Sequence, residues 1–168
     1  GLAGFVLPRG DEHQGEHVAP RSERLAWLTG FTGSAGLASV LADRAAIFVD
    51  GRYTLQVRAQ VDAGRFEYRH LTDEPTADWL AKNARSGMRI GFDPWLHTSE
   101  AVARLRAGAA KAGAELVAVE PNPVDAVWSD QPASPLSPVA VHEQHCAGRS
   151  AGDKRAEIAG KLAADGYG

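Results

Sequence analysis

The chain has 168 residues, 44 % of them hydrophobic and 23 % charged, which suits one ordinary domain with an appendage. Its 18 basic and 21 acidic side chains leave a net charge of −3 without any basic run, so nucleic acid has no electrostatic footing. No apolar run approaches a membrane span, and the single cysteine, Cys146, excludes an intrachain disulfide and favours a reducing, cytoplasmic compartment.

In chain order, Phe5-Val6-Leu7 reads as a short strand ended by Pro8. Arg9 to His17 is polar. His13 and His17 have the i, i+4 spacing of a metal pair on a helix face, but Gly10, Gly15 and Pro20 break any such helix and leave a solvated loop. Arg21 to Thr29 is expected to be a short helix with Ser22 as N-cap and Leu25 and Leu28 on one face.

Leu28 to Tyr53 is the most informative stretch. Gly30, Gly33 and Gly36 recur every third residue, which permits φ > 0 or close approach to another surface. Leu37–Leu41 and Ala45–Val49 are apolar runs separated by Ala42-Asp43-Arg44, the spacing of a hairpin. The second run ends in Asp50-Gly51-Arg52-Tyr53, at the carboxyl end of a strand, where open α/β sheets place their sites.

Tyr53, Val57 and Val61 define an amphipathic helix from Tyr53 to Asp62, stopped by Gly64. Phe66–Leu71 reads as a half-exposed strand, Thr76 to Gly87 as a helix, and Arg89–Asp93 as a strand. Ser99 is the expected N-cap of a helix striped by Val102, Leu105 and Ala109 and ended by Gly113; Leu116–Val119 is a buried-type strand. Strands alternating with helices, plus one hairpin, predict an α/β fold: a mixed β-sheet with a central hairpin flanked by helices.

Prolines 121, 123, 132, 135 and 138 then mark a stiff stretch around a short helical segment, Val124–Trp128. The division this predicts is a first domain over 1–122, an exit linker over 123–138 and the beginning of a second domain over 139–168. Val139–Val141 is expected to start a strand there, followed by a helix capped by Ser150 and Asp153 with Ile158 and Leu162 on one face. Gly1–Gly4 reads as the end of a missing helix and the last helix has nothing after it to pack against, so a fragment of a larger protein is expected.

The residues alone supply no catalytic constellation. The glycine run lacks the lysine of a phosphate loop and no helix follows it directly, and Ser34 in Thr-Gly-Ser-Ala-Gly misses the nucleophile-elbow pattern, leaving a loop serine. His142, His145 and Cys146 offer three zinc-type ligands without the second pair a structural site needs. Arg52 has two readings: a solvated side chain after a capping Asp50, or a guanidinium fork presented to a carboxylate or carbonyl. Trp27, Trp79, Trp95 and Trp128 are spread singly, as core or interface groups.

Leu28–Gly36, the hairpin and Asp50–Tyr53 together resemble the N-terminal domain of Xaa-Pro aminopeptidases (aminopeptidase P) in the creatinase/prolidase family. Pro8–Pro20 resembles the longer, three-domain branch. Arg89–Pro94, Asn122–Trp128, Pro135–Pro138 and Ala147–Ser150 with Lys154 extend the resemblance almost from end to end. Gln131 and Thr54-Leu55 depart from the commoner residues at those positions. The resemblance implies a ribonuclease H-like first domain and the start of a similar second one. It implies an enzyme that removes the N-terminal residue from peptides with proline second, using two divalent ions, usually manganese, in a C-terminal domain not contained in this chain. No metal ligand is carried over, and the isolated chain is expected to be inactive. Arg52 matches an arginine associated with peptide binding, with Phe31 and Tyr53 beside it at the substrate mouth. A homodimer is implied, because the glycine loop often faces a neighbouring subunit. The family also includes non-catalytic relatives that bind peptides or proteins, which is the alternative expectation.

Overall fold

The structure, a computed structural model, describes residues 1–167. Residues Gly1–Ser134 form one compact unit, and the segment from Pro135 onward forms another.

The first unit contains β1 (Gly4–Pro8), α1 (Arg24–Thr29), β2 (Gly36–Leu41), β3 (Ala45–Val49), α2 (Thr54–Gln60), β4 (Glu67–His70), α3 (Thr76–Asn83), β5 (Arg89–Phe92), α4 (Ser99–Lys111), β6 (Glu115–Ala118) and α5 (Pro123–Val127). A single six-stranded sheet runs in the order β4-β3-β2-β1-β5-β6. The three residues between β2 and β3 can only reverse the chain, so these two strands pair antiparallel, and β1 also pairs antiparallel with β2. Helical crossovers bring in β4, β5 and β6 parallel to their neighbours. This is the mixed α/β sheet that the hairpin and the helix–strand alternation predict.

Side-chain alternation along the strands divides the core between two faces. Val6, Phe48, Ile90 and Phe92 point to the face covered by α3 and α4, where Trp79, Leu80 and Leu105 meet them. Leu7, Ala38, Ile47 and Val49 point the other way, against Leu25, Phe31, Val57 and Val124. Burial on both faces explains why β3 is continuously apolar instead of alternating.

Several local expectations are corrected. Ser22 is not an N-cap: it lies buried in a 3-10 turn, Pro20–Ser22, and α1 begins after Glu23 without a side-chain cap. The cap of α4 is Thr98, whose hydroxyl accepts from the Ala101 N–H, and Ser99 is the first helical residue. The Tyr53–Asp62 helix is a 3-10 turn, Gly51–Tyr53, followed by α2, which stops at Gln60 before Gly64 is reached.

The second unit contains α6 (Gln144–Ala147) and α7 (Ala151–Ala164). Ser150 caps α7, accepting from the Asp153 N–H at 3.1 Å while its hydroxyl donates to the Asp153 carboxylate at 2.7 Å. Val139–Val141 forms no strand: the segment has no regular secondary structure and is exposed. Ile158 and Leu162, the expected apolar face of α7, are also exposed.

Candidate functional site

The register of the hairpin assembles the candidate site. Gly36 opens β2 opposite Val49, which closes β3. The loop that ends at Gly36 and the turn that begins at Asp50 therefore emerge side by side at one end of the strands.

The turn is built around Asp50. Its carboxylate accepts the Arg52 backbone N–H at 2.9 Å, satisfying an orphan donor of the 3-10 turn. The same carboxylate takes the Arg52 side chain as a fork, from Nε to Oδ1 at 3.1 Å and from Nη2 to Oδ2 at 2.7 Å. Asp50 thus caps the turn, as the first reading of Asp50-Gly51-Arg52 has it, and also holds the Nε–Nη2 side of the Arg52 guanidinium in a fixed plane. That hydrogen bonding holds the Asp50 carboxyl below the usual aspartate range and raises the Arg52 pKa. The Arg52 side chain stays 66 % exposed, so its free edge faces solvent. Its guanidinium carbon sits 5.2 Å from the centre of the Tyr53 ring, a cation–π contact that further fixes its direction.

Tyr53 joins the turn to the glycine loop. Its hydroxyl lies 2.7 Å from the Ser34 hydroxyl, a bond that lowers the phenol pKa. Its ring meets Phe31 edge-on, with centroids 5.5 Å apart. The glycine run is explained by this packing. Gly30 takes a left-handed conformation, φ 81°, to end α1. A Cβ on Gly33 would fall 2.2 Å from the Phe31 ring, and one on Gly36 would fall 2.9 Å from it. Thr32 is tied to α2 by Gln60, whose side-chain oxygen accepts the Thr32 N–H at 3.0 Å.

Of the three residues expected to contact substrate, Arg52 is exposed and Tyr53 is half-buried. Phe31 departs from the expectation. It is 1 % exposed, so it has no free face and instead supports Tyr53 from below, because the two small glycines leave its ring a closed slot. Ser34, Gln60 and Gln56, whose side-chain amide donates to the Thr32 hydroxyl at 3.2 Å, were not legible as members of the site. The only signal was the i, i+4 spacing of the two glutamines, which is common on any solvated helix.

The other singled-out residues stay apart. His13 and His17 lie on an exposed loop, folded locally by Asp11, whose carboxylate accepts the His13 N–H at 3.1 Å. His142, His145 and Cys146 are exposed around α6. Among the described residues, no three His, Cys, Asp or Glu side chains come together as a metal-binding group. No described helix is long and apolar enough to cross a membrane. A cavity of about 320 Å³ between Pro8, Leu37, Leu71, His97 and Leu105 opens at the same end of the strands, with Arg52 outside its walls.

The sheet order, the glycine loop and the Asp50–Tyr53 turn define a class. Residues 1–127 match the Creatinase/Prolidase N-terminal domain, and the chain belongs to that family. It is similar to aminopeptidase P1 of Lotus japonicus, 36 % identical over 162 residues that make up 96 % of this chain and 24 % of that protein. Arthroderma otae has a relative named "Probable Xaa-Pro aminopeptidase P", also 36 % identical, with 95 % of this chain and 26 % of that protein covered. Among solved structures, the X-prolyl aminopeptidase of Caenorhabditis elegans, described as a cytosolic enzyme with a di-nuclear active site, superposes with a TM-score of 0.82 at 30 % identity, covering 98 % of this chain and 27 % of that one. The chain thus spans about a quarter of the length of the relatives it matches.

Proposed function

We propose that this chain is the non-catalytic N-terminal part of a metal-dependent Xaa-Pro aminopeptidase, which removes the first residue from short peptides with proline second. Its task is to shape the substrate mouth and to contribute to a homodimer interface in a cytoplasmic enzyme. Residues 123–138 lead from the first domain into a second that begins near 139. The C-terminal part of the same protein carries the chemistry. The two divalent ions, with manganese as the candidate metal, belong there, a reading supported by the absence of a metal-binding group among the described residues of this chain.

The observation that carries the reading is the Arg52 guanidinium. It is fixed in direction by Asp50 and Tyr53 and exposed to solvent, at the end of the strands from which the glycine loop also emerges. A pre-oriented guanidinium of this kind holds a peptide carbonyl or carboxylate by charge-assisted hydrogen bonds, with little ordering left to be done on binding.

The test is hydrolysis of Xaa-Pro peptides with added manganese by the full-length parent, the parent carrying Arg52→Ala, and this chain alone. Activity in the parent, weakened by the substitution and missing from the chain, is expected. A parent that binds such peptides without cleaving them would instead make it a binding module, and activity in this chain would overturn the assignment.

A further inference from the structure

We infer that α1 couples the segment leaving the first unit to the Arg52 site, with Arg24 as its positioning residue. The inference rests on the aminopeptidase reading for its kinetic consequences and on this chain's geometry for the coupling itself.

The helix has two working sides. On one, Arg24 forks onto Asp125, from Nε to Oδ1 at 2.7 Å and from Nη2 to Oδ2 at 2.8 Å, across 101 residues of sequence. Gln131 donates to the same carboxylate at 2.7 Å and to the Arg21 carbonyl at 3.0 Å. Trp27 stacks on Trp128, centroids 5.5 Å apart. Asn122 anchors the start of this segment, donating to the Asp93 carboxylate at 2.8 Å and accepting the Val124 N–H at 3.0 Å. The other side of α1 holds the glycine loop. The Thr29 hydroxyl accepts the Phe31 N–H at 3.1 Å, and Leu25 packs where a Cβ on Gly36 would come within 3.1 Å of it. Phe31 then supports Tyr53, and Tyr53 lies under Arg52. The two attachments lie at opposite ends of a helix only six residues long, so α1 moves as one strut. Any load on residues 122–131 from the chain beyond them reaches Phe31 through it.

Hydrogen exchange on this chain reads the coupling without an activity assay. Arg24→Met is expected to speed exchange at the Trp128 and Gln131 amides and also at those of Phe31 and Thr32, by about three- to thirtyfold, while β5 and β6 are unchanged. Acceleration confined to residues 122–131, or none, would overturn the inference. If Arg24→Met does not fold, Gln131→Ala removes two bonds from a half-buried side chain and is expected to give the same pattern at smaller size.

In the full-length enzyme, Arg24→Met and Arg52→Ala should each raise KM more than they lower kcat, and the double variant should lose less than the product of the two. Effects that multiply would overturn the coupling. A parent inactive on Xaa-Pro peptides would defeat the aminopeptidase reading, and the exchange pattern would still decide the coupling.

Discussion

Asp50 and Arg52 bind one another twice, through the backbone N–H at 2.9 Å and through the guanidinium fork at 2.7 Å and 3.1 Å. The residue that starts the turn therefore also aims the side chain that leaves it. Lysine has a charge but no planar fork, so Arg52→Lys should lose most of what Arg52→Ala loses. In the full-length enzyme both are expected to lower kcat/KM on the order of tenfold, the worth of one charge-assisted hydrogen bond, with unchanged melting temperatures. A kcat/KM for Arg52→Lys equal to wild type would show that the fork has no part in binding.

Gly33 has a steric reason to be glycine. Alanine there would put a Cβ 2.2 Å from the Phe31 ring, and that ring has no free space to move into. Overpacking of this kind costs about 1–3 kcal/mol, readable as a lowered midpoint in urea with an unchanged slope. Phe31→Ala is expected to cost about 3–5 kcal/mol by leaving a cavity under Tyr53. If both variants melted like wild type, the packing described for the loop would be wrong.

Helices α3 and α4 cross at Gly108, where an added Cβ would lie 2.2 Å from the Ala77 carbonyl oxygen. Backbone cannot rotate aside as a side chain can, so Gly108→Val should destabilise by at least the ~1–3 kcal/mol of ordinary overpacking. The check is chemical denaturation, with Gly160→Val in α7 as the control, since no atom lies within 4 Å of that position.

His97 gives a pH prediction. Burial lowers its pKa, while Nδ1 lies 2.9 Å from the Asp93 carbonyl and Nε2 is buried without a partner. The unfolded chain then takes up a proton at about pH 6.5, before the folded one does. Stability is full above that pH and falls as pH drops towards the lower folded pKa. His97→Gln should flatten this limb of the stability profile below about pH 6.5. An unchanged slope would place the titration elsewhere.

Asp125 acts at lower pH. Burial pushes its pKa up, but the Arg24 fork and the Gln131 amide outweigh it, and the net direction is down. Its contribution is therefore present above about pH 4 and is lost as pH falls through the depressed folded value. Asp125→Asn should remove that part of the acid transition in urea titrations at pH 2–5.

The hairpin, the alternation of helices and strands, and the Asp50–Tyr53 turn were legible in the chain because each is a local pattern: apolar runs, breakers and a cap within a few residues. Caps were placed less well. Thr98 takes the role expected of Ser99 because a threonine one residue earlier fits the signal equally, and Ser22 is buried in a 3-10 turn that caps nothing. Val139–Val141 has strand composition, but a strand needs a partner, and composition does not supply one.

Local order along the sequence thus determined the elements and the family, since turn chemistry and hydrophobic period act over a few bonds. Which residues meet was decided by the tertiary structure alone. Phe31 went inward because Gly33 and Gly36 leave room for its ring, and Arg24 found Asp125 because α1 and α5 pack on the same face of the sheet. Contacts across 101 residues depend on that packing, and no spacing in the chain encodes them.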